Sequence, residues 1–303
     1  MAIKSVLKTV KKQTEIITKK QEQKVERKNP QDIITDFCKN TDTDMLLFNS
    51  TIGDSVGITN GFVDFILGRP HKKNCMLFLT TYGGDANWAY KIYRALKTTY
   101  DNYDVVICGF CKSAGTLITL GARKLYFSNV GEIGPLDVQM SKKDDFFKSQ
   151  SALDMFRSQE LIRKWSSDFF KNFFFELLKS TGGTMSVPVM SDAVNKMAGN
   201  LFSPIMDKIN PIEVGETWRA MNIANNYGDI MKSPNVKPDT IKMLVYDYPS
   251  HSFVIDMQQA KYLFNDVETL TEHQLIIYNS QLKKILEQPQ QNGLYGEIIK
   301  FLS

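Results

Sequence analysis

Residues 75–108 read CMLFLTTYGGDANWAYKIYRALKTTYDNYDVVIC. The apolar run Cys75–Leu79 has the length of a buried strand and ends in Thr80-Thr-Tyr-Gly-Gly-Asp85. Ala86–Tyr100 carries the spacing of a helix, and Tyr103–Cys108 is a second apolar strand. The same alternation continues downstream, with a helix over Ala114–Gly121 and a strand over Lys124–Phe127. Upstream, Asp44–Phe48 reads as a strand, Gly53-Asp54 as a turn and Ile58–Leu67 as a helix. Strands that alternate with helices pair in parallel through right-handed crossovers, so the fold class is α/β. Sites in such sheets lie at the carboxyl ends of the strands, where both glycine-bearing turns, at Gly83-Gly84 and Gly109, fall.

Beyond residue 147 the pattern changes. Lys148–Lys179 predicts one long helix dense in Phe and Leu, including Phe156, Leu161, Trp165, Phe169, Phe173 and Leu177. Aromatic residues at that density serve a core or an oligomer interface. Gly182-Gly183 ends the run; Ser191–Met197 and Pro211–Asn222 are two further helices, the second with Pro and acids in its first turn. A Pro234–Pro238 loop leads into Lys242–Ser303, where one or two strands and two helices are expected. The chain is thus divided into a basic helical arm (1–30), an α/β domain (31–270) and a C-terminal helical extension (271–303).

The chain has 303 residues, 43% of them hydrophobic, enough for a substantial core. Its apolar runs, such as Met76–Leu79 and Val105–Ile107, are far shorter than the roughly 20 residues that span a bilayer, so no transmembrane segment is expected. The N-terminus lacks the apolar block and small-residue cleavage site of a secretory signal, which places the protein in the cytoplasm. The net charge is +4, but residues 1–28 hold nine Lys or Arg against three Glu, a local +6 that leaves −2 for the rest. That asymmetry argues for a basic arm and against a nucleic-acid-binding domain. Ile3, Leu7, Val10 and Ile17 recur in the arm at helical spacing, which suits weak contact with a partner or a membrane surface.

The four cysteines, Cys38, Cys75, Cys108 and Cys111, are too few for a disulfide framework in a chain this long. Cys108-Gly-Phe-Cys111 lacks the second ligand pair that zinc requires, and Cys108 closes an apolar strand instead of opening a helix, so a structural role is expected and no metal or cofactor. Lys112 is read as a solvated lysine at a strand end. Ser113 differs. It stands at a strand-to-helix turn followed by Ala114 and Gly115, small enough for another backbone to approach, and its hydroxyl lies at a helix start. Gly83-Gly84, at the end of the neighbouring strand, can expose backbone N–H groups that join the one after the serine to hold an oxyanion.

Thr81-Tyr-Gly-Gly-Asp85, Ser113-Ala-Gly-Thr-Leu117, Gly131-Glu-Ile-Gly-Pro-Leu-Asp137 and Tyr248-Pro-Ser-His-Ser-Phe-Val-Ile-Asp256, in that order, resemble the Clp-protease/crotonase superfamily and within it the serine dehydrogenase proteinase branch. The resemblance covers roughly residues 45–270. It implies a spiral of βα units, here with additional C-terminal helices, and a peptidase that forms an acyl-enzyme on Ser113, with Gly84 and Ala114 as oxyanion donors. It also implies a homo-oligomer acting on peptide or protein substrates.

The sequence departs from the Clp peptidases in one respect: Ile133-Gly134-Pro135 stands where they carry a histidine. The order Ser, Asp, His that the branch implies leaves His251 or His273 as base. His251 has the better context, a Pro-anchored turn before an apolar strand, whereas His273 sits at a helix start and His71 beside Lys72 and Lys73. Asp137 is the expected acid, with Asp229 and Asp247 as alternatives. Three other readings stand beside this one. A serine–lysine peptidase resembling signal peptide peptidase would use Lys142, Lys143 or Lys164; an inactive protein would keep the fold for binding; a crotonase-like enzyme would cradle an acyl thioester between Gly84 and Ala114.

Overall fold

The computed structural model describes residues 29–54, 57–136, 139–142 and 145–302, with residues 139–142 and 145–156 described by their backbone. Residues 1–28 of the basic arm and Asp137 lie outside the described residues.

Chain order gives α1 (Pro30–Asn40), β1 (Thr43–Asn49), α2 (Ile58–Leu67), β2 (Asn74–Thr80), α3 (Ala86–Thr99), β3 (Asn102–Ile107), β4 (Phe110–Cys111), α4 (Ala114–Leu120), β5 (Leu125–Phe127) and β6 (Glu132–Ile133). Then follow β7 (Gln139–Lys142), β8 (Asp145–Ser151), α5 (Ala152–Ser180), α6 (Val187–Met206), α7 (Pro211–Met231) and the short α8 (Thr240–Lys242), continued by a wide turn over Met243–Asp247. The chain ends in α9 (Met257–Leu263), β9 (Val267–Thr269), α10 (Glu272–Tyr278), α11 (Lys283–Glu287), β10 (Leu294–Glu297) and a final turn of helix, Ile298–Phe301.

Six strands form one sheet in the order β10-β1-β2-β3-β5-β9. All neighbours are parallel except β10, which runs antiparallel to β1 with Phe48 opposite Tyr295. The expected mixed α/β architecture with a mainly parallel sheet is what the chain adopts. The central strands β1, β2 and β3 are buried along nearly their whole length and mostly apolar because both faces are covered. On β1, Leu46 and Phe48 enter one core with α2 and α3, while Met45 and Leu47 enter the other with Ile34 and Cys38 of α1, Ile277 of α10 and Leu286 of α11. Residues 271–303 therefore cover one face of the main sheet and supply its edge strand.

Beyond the carboxyl ends of β1, β2 and β3 the chain builds a second, narrower ladder. Ile52 bridges Gly84, Thr81 bridges Cys111, Phe110 and Cys111 pair with Glu132 and Ile133, and Ile133 faces Ile255 in antiparallel fashion. This ladder carries both glycine turns and fixes their separation.

Three helix spans differ from expectation: α6 runs over Val187–Met206 where Ser191–Met197 is expected, α7 continues past Asn222 to Met231, and the Phe-rich helix starts later than Lys148. Lys148–Ser151, read as the start of the Phe-rich helix, belongs to β8, which pairs with β7; α5 begins at Ala152. Lys148-Ser-Gln-Ser151 has no apolar side chain to hold a helical face, and its backbone pairs with β7 instead. From residue 157 onward, α5 buries no side chain fully, although Phe169 stacks on Phe173 at 5.7 Å and meets Phe202 of α6 at 6.0 Å. Trp165 stays 58% exposed, Phe175 64% and Trp218 of α7 62%. No helix among the described residues is long and apolar enough to cross a membrane.

Candidate active site

Ser113 lies between β4 and α4 with φ 49° and ψ −113°, one of three non-glycine residues at positive φ among the described residues. Side chains rarely tolerate that conformation, and it holds only where the surroundings enforce it. Here Thr81 N–H donates to the Phe110 carbonyl at 2.7 Å and Lys112 N–H to the Thr81 carbonyl at 3.0 Å, clamping both sides of the turn to the strand below. Gly115 makes room, since a Cβ there would lie 2.5 Å from Thr81 Cγ2. The resulting sharp strand-to-helix turn has the character of a nucleophile elbow. The Ser113 side chain makes no capping hydrogen bond to its own helix.

The second turn is as constrained. Gly83 and Gly84 have φ of 105° and 142°, and a Cβ on Gly84 would lie 2.0 Å from the Ile52 carbonyl oxygen. Ile52 N–H donates to the Gly83 carbonyl at 2.8 Å, and Asp85 N–H donates to the Ile52 carbonyl at 2.9 Å. That pattern turns the Gly84 N–H away from Ile52. Neither it nor the Ala114 N–H has an acceptor among the described residues. Both residues border the same cavity, which has a volume of about 450 Å³.

Ser113 and His251 also border that cavity. His251 is half-buried in the turn Ser250–Phe253, closed by a bond from Phe253 N–H to the Ser250 carbonyl at 3.1 Å. The segment that bears it is tied down on both sides. Leu136 N–H donates to the Leu244 carbonyl at 2.9 Å, Arg157 of α5 donates to the Tyr246 carbonyl at 2.8 Å, and Ile255 exchanges two backbone bonds with Ile133. Two residues far apart in sequence are thereby brought to one hollow.

No protein-family model matches the chain. No curated protein matches it either. Among solved structures, a point mutant of 1510-N, a membrane-bound stomatin-specific protease, is similar at 14% identity and a TM-score of 0.30, over 50% of this chain and 67% of that one. A point mutant of ClpP1 from Listeria monocytogenes is similar at 17% identity and a TM-score of 0.24, over 52% of this chain and 82% of that one. Both likenesses are faint, and the roles assigned below rest on this chain's own residues.

The other candidates fall elsewhere. His71 packs edge-on to Tyr100 at a ring separation of 5.7 Å, and His273 lies against Phe37 of α1 at 4.3 Å. Asp229 binds Lys232 at 2.8 Å on the last turn of α7, and neither it nor the exposed Asp247 lines the cavity. Lys164 is exposed on α5 and borders a separate groove. Lys143 and the side chain of Lys142 lie, like Asp137, outside the described residues. Cys108 and Cys111 are buried, and loss of hydration pushes both thiols well above their ordinary value. Among the described residues no group of three His, Cys, Asp or Glu is placed to hold a metal ion.

Lys112 departs from its sequence-based reading. It is 8% exposed, and its ammonium contacts Glu132 Oε1 at 2.8 Å. The rest of the cavity lining has no role in the sequence-based reading: Tyr82, Asp85, Ala86 and Asn87 around the glycine turn and the start of α3, Leu117 of α4, Leu136, and Ala220, Ile223 and Ala224 of α7. The α7 residues follow i, i+3, i+4 spacing, which looks like any packed helix face.

Proposed function

We propose that the chain is a serine hydrolase of the Clp/crotonase type that cleaves peptide bonds through an acyl-enzyme on Ser113. The observation that carries this reading is a single cavity bordered by a strained serine, an imidazole and two backbone N–H groups without acceptors among the described residues, those of Gly84 and Ala114. A hydroxyl is a poor nucleophile until a neighbour takes its proton, and imidazole does so near neutral pH. His251 accepts the Ser113 proton as Oγ attacks the scissile carbonyl carbon. The carbonyl oxygen, now negative, is held by the N–H groups of Gly84 and Ala114. The tetrahedral adduct collapses as His251 returns the proton to the leaving amine, and a water activated by the same imidazole releases the acid and restores the serine. Asp137 orients the imidazole. Leu117, Leu136, Ile223 and the two alanines of α7 give the cavity an apolar side, as suits a substrate side chain, with Tyr82, Asp85 and Asn87 bordering it as well. In this reading the protein is a homo-oligomer.

A fluorophosphonate probe tests the reading directly, because phosphonylation requires an activated serine. The expected result is labelling of one residue, lost in Ser113→Ala. Absence of labelling in the native protein removes the hydrolase assignment and leaves the binding-protein reading; labelling that survives Ser113→Ala moves the nucleophile to another serine and removes the role given to Ser113.

A further inference from the structure

Lys112 precedes the serine, yet it does not border the cavity. Its stem crosses Gly134, where a Cβ would lie 2.8 Å from Lys112 Cδ. Its ammonium ends among three acceptors: Glu132 Oε1 at 2.8 Å, the Ile133 carbonyl at 3.3 Å and the Phe253 carbonyl at 3.3 Å. An ammonium has three N–H donors, so each acceptor can take one. Glu132 neutralises the charge, which a buried cation requires. The three acceptors belong to two segments: Glu132 and Ile133 to β6, and Phe253 to the turn that bears His251, two residues away.

We infer that Lys112 is a positioning residue of the serine site: its ammonium fastens the His251 turn to the nucleophile turn and so fixes the imidazole relative to Ser113. The inference rests on the hydrolase reading for its catalytic consequence, but not for its geometry. Ile133 and Ile255 already hold the base of the segment through two backbone bonds, so loss of the ammonium leaves the segment attached and frees its tip. A base displaced by about 1 Å costs on the order of 10²-fold in rate.

The test uses the full chain and two readouts. The protein has three histidines, so the imidazole Cε1–H signals of His71, His251 and His273 are separable by NMR with single substitutions. In Lys112→Met the His251 signal is expected to move while those of His71 and His273 stay in place; an unmoved His251 signal overturns the inference whether or not the protein proves to be a hydrolase. On turnover, Lys112→Met is expected to cost on the order of 10²-fold in the native background and nothing further in His251→Ala, because a residue that acts through the imidazole has nothing left to act on. Additive losses overturn it. If Lys112→Met does not unfold cooperatively, Glu132→Gln is the variant to measure, since it removes the charge partner at nearly constant volume; the same movement of the His251 signal is expected, and its absence is decisive against the inference. Failure of the hydrolase reading shows itself separately, as absence of fluorophosphonate labelling and turnover in the native protein, and failure of Ser113 as nucleophile as activity that survives Ser113→Ala.

Discussion

Gly83 lies so close to Ser113 that a Cβ built on the glycine would stand 2.6 Å from the serine Cβ and 2.9 Å from the Lys112 carbonyl oxygen. Ser113 is itself held at positive φ, and its turn is clamped to Thr81 by two backbone bonds, so these atoms have little room to retreat. Gly83→Ala is expected to cost about 1–3 kcal/mol of stability through strain at its own φ, and to reduce fluorophosphonate labelling of Ser113 by displacing the turn. Urea unfolding and probe labelling measure the two effects. Labelling at the native rate would mean that the contact does not shape the site.

Much of this arrangement was legible in the sequence, and the parts that were not share a cause. The boundaries of α2 were read as Ile58–Leu67 because apolar spacing and flanking glycines are local signals. The two glycine turns were placed at strand ends for the same reason. Strand β10 pairs with β1 across some 250 residues, and β8 takes the polar residues Lys148–Ser151 into a pair with β7. Neither pairing leaves a mark in a short window. At the site, Ser113 and Gly84 were legible because a strained turn needs small neighbours. Ala220, Ile223 and Ala224 were not, since only the docking of α7 on α3, where Tyr227 Oη donates to Asn87 Oδ1 at 2.7 Å, turns an ordinary helix face into a cavity wall. Lys112 was misread because its partners lie 20 and 141 residues downstream.

Removing the base separates the serine–histidine reading from the serine–lysine one. His251→Ala is expected to lower esterase or peptidase turnover by on the order of 10³-fold, as loss of a triad member does, and Asp137→Asn to lower it as well. Turnover by His251→Ala near the native rate, together with loss of activity on substitution of Lys142, Lys143 or Lys164, would transfer the role of base to a lysine.

The thiols give a pH dependence with a definite sign. Burial raises the folded-state values of Cys75, Cys108 and Cys111 above the ordinary 9.0, so the folded protein keeps protons that the unfolded chain releases. The stabilising contribution is complete below pH 9.0 and falls as pH rises beyond it. The urea midpoint is therefore expected to decline above about pH 9, and to decline less steeply in Cys108→Ala, which has one thiol fewer. Equal slopes in the two proteins would exclude this source. The native thiols should also resist alkylation at neutral pH, as buried thiols do.

The basic arm carries its charge apart from the remainder of the chain, and every core side chain of the described residues comes from Ile34 onward. Deletion of residues 1–28 is expected to leave cooperative unfolding and Ser113 labelling intact. Loss of cooperativity in the truncated protein would show that the arm belongs to the core.

The outer helices bear on assembly. Trp165, Phe175 and Trp218 are each more than half exposed, and Val187, Leu201 and Ile212 on the same helical unit are exposed at 52–67%. Isolated exposed apolar side chains are ordinary, but this many on three neighbouring helices exceed what a monomer usually leaves in water. Burial of such side chains returns about 25 cal/mol per Å², which favours a second copy of the chain against this face. The protein is expected to scatter light as an oligomer of at least two subunits at micromolar concentration, and Trp165→Glu or Phe175→Glu, which place a charge on the apolar face, should shift it toward the monomer. A native mass of 34.6 kDa would sink the assembly outright. An oligomer indifferent to both substitutions would place its interface on another face.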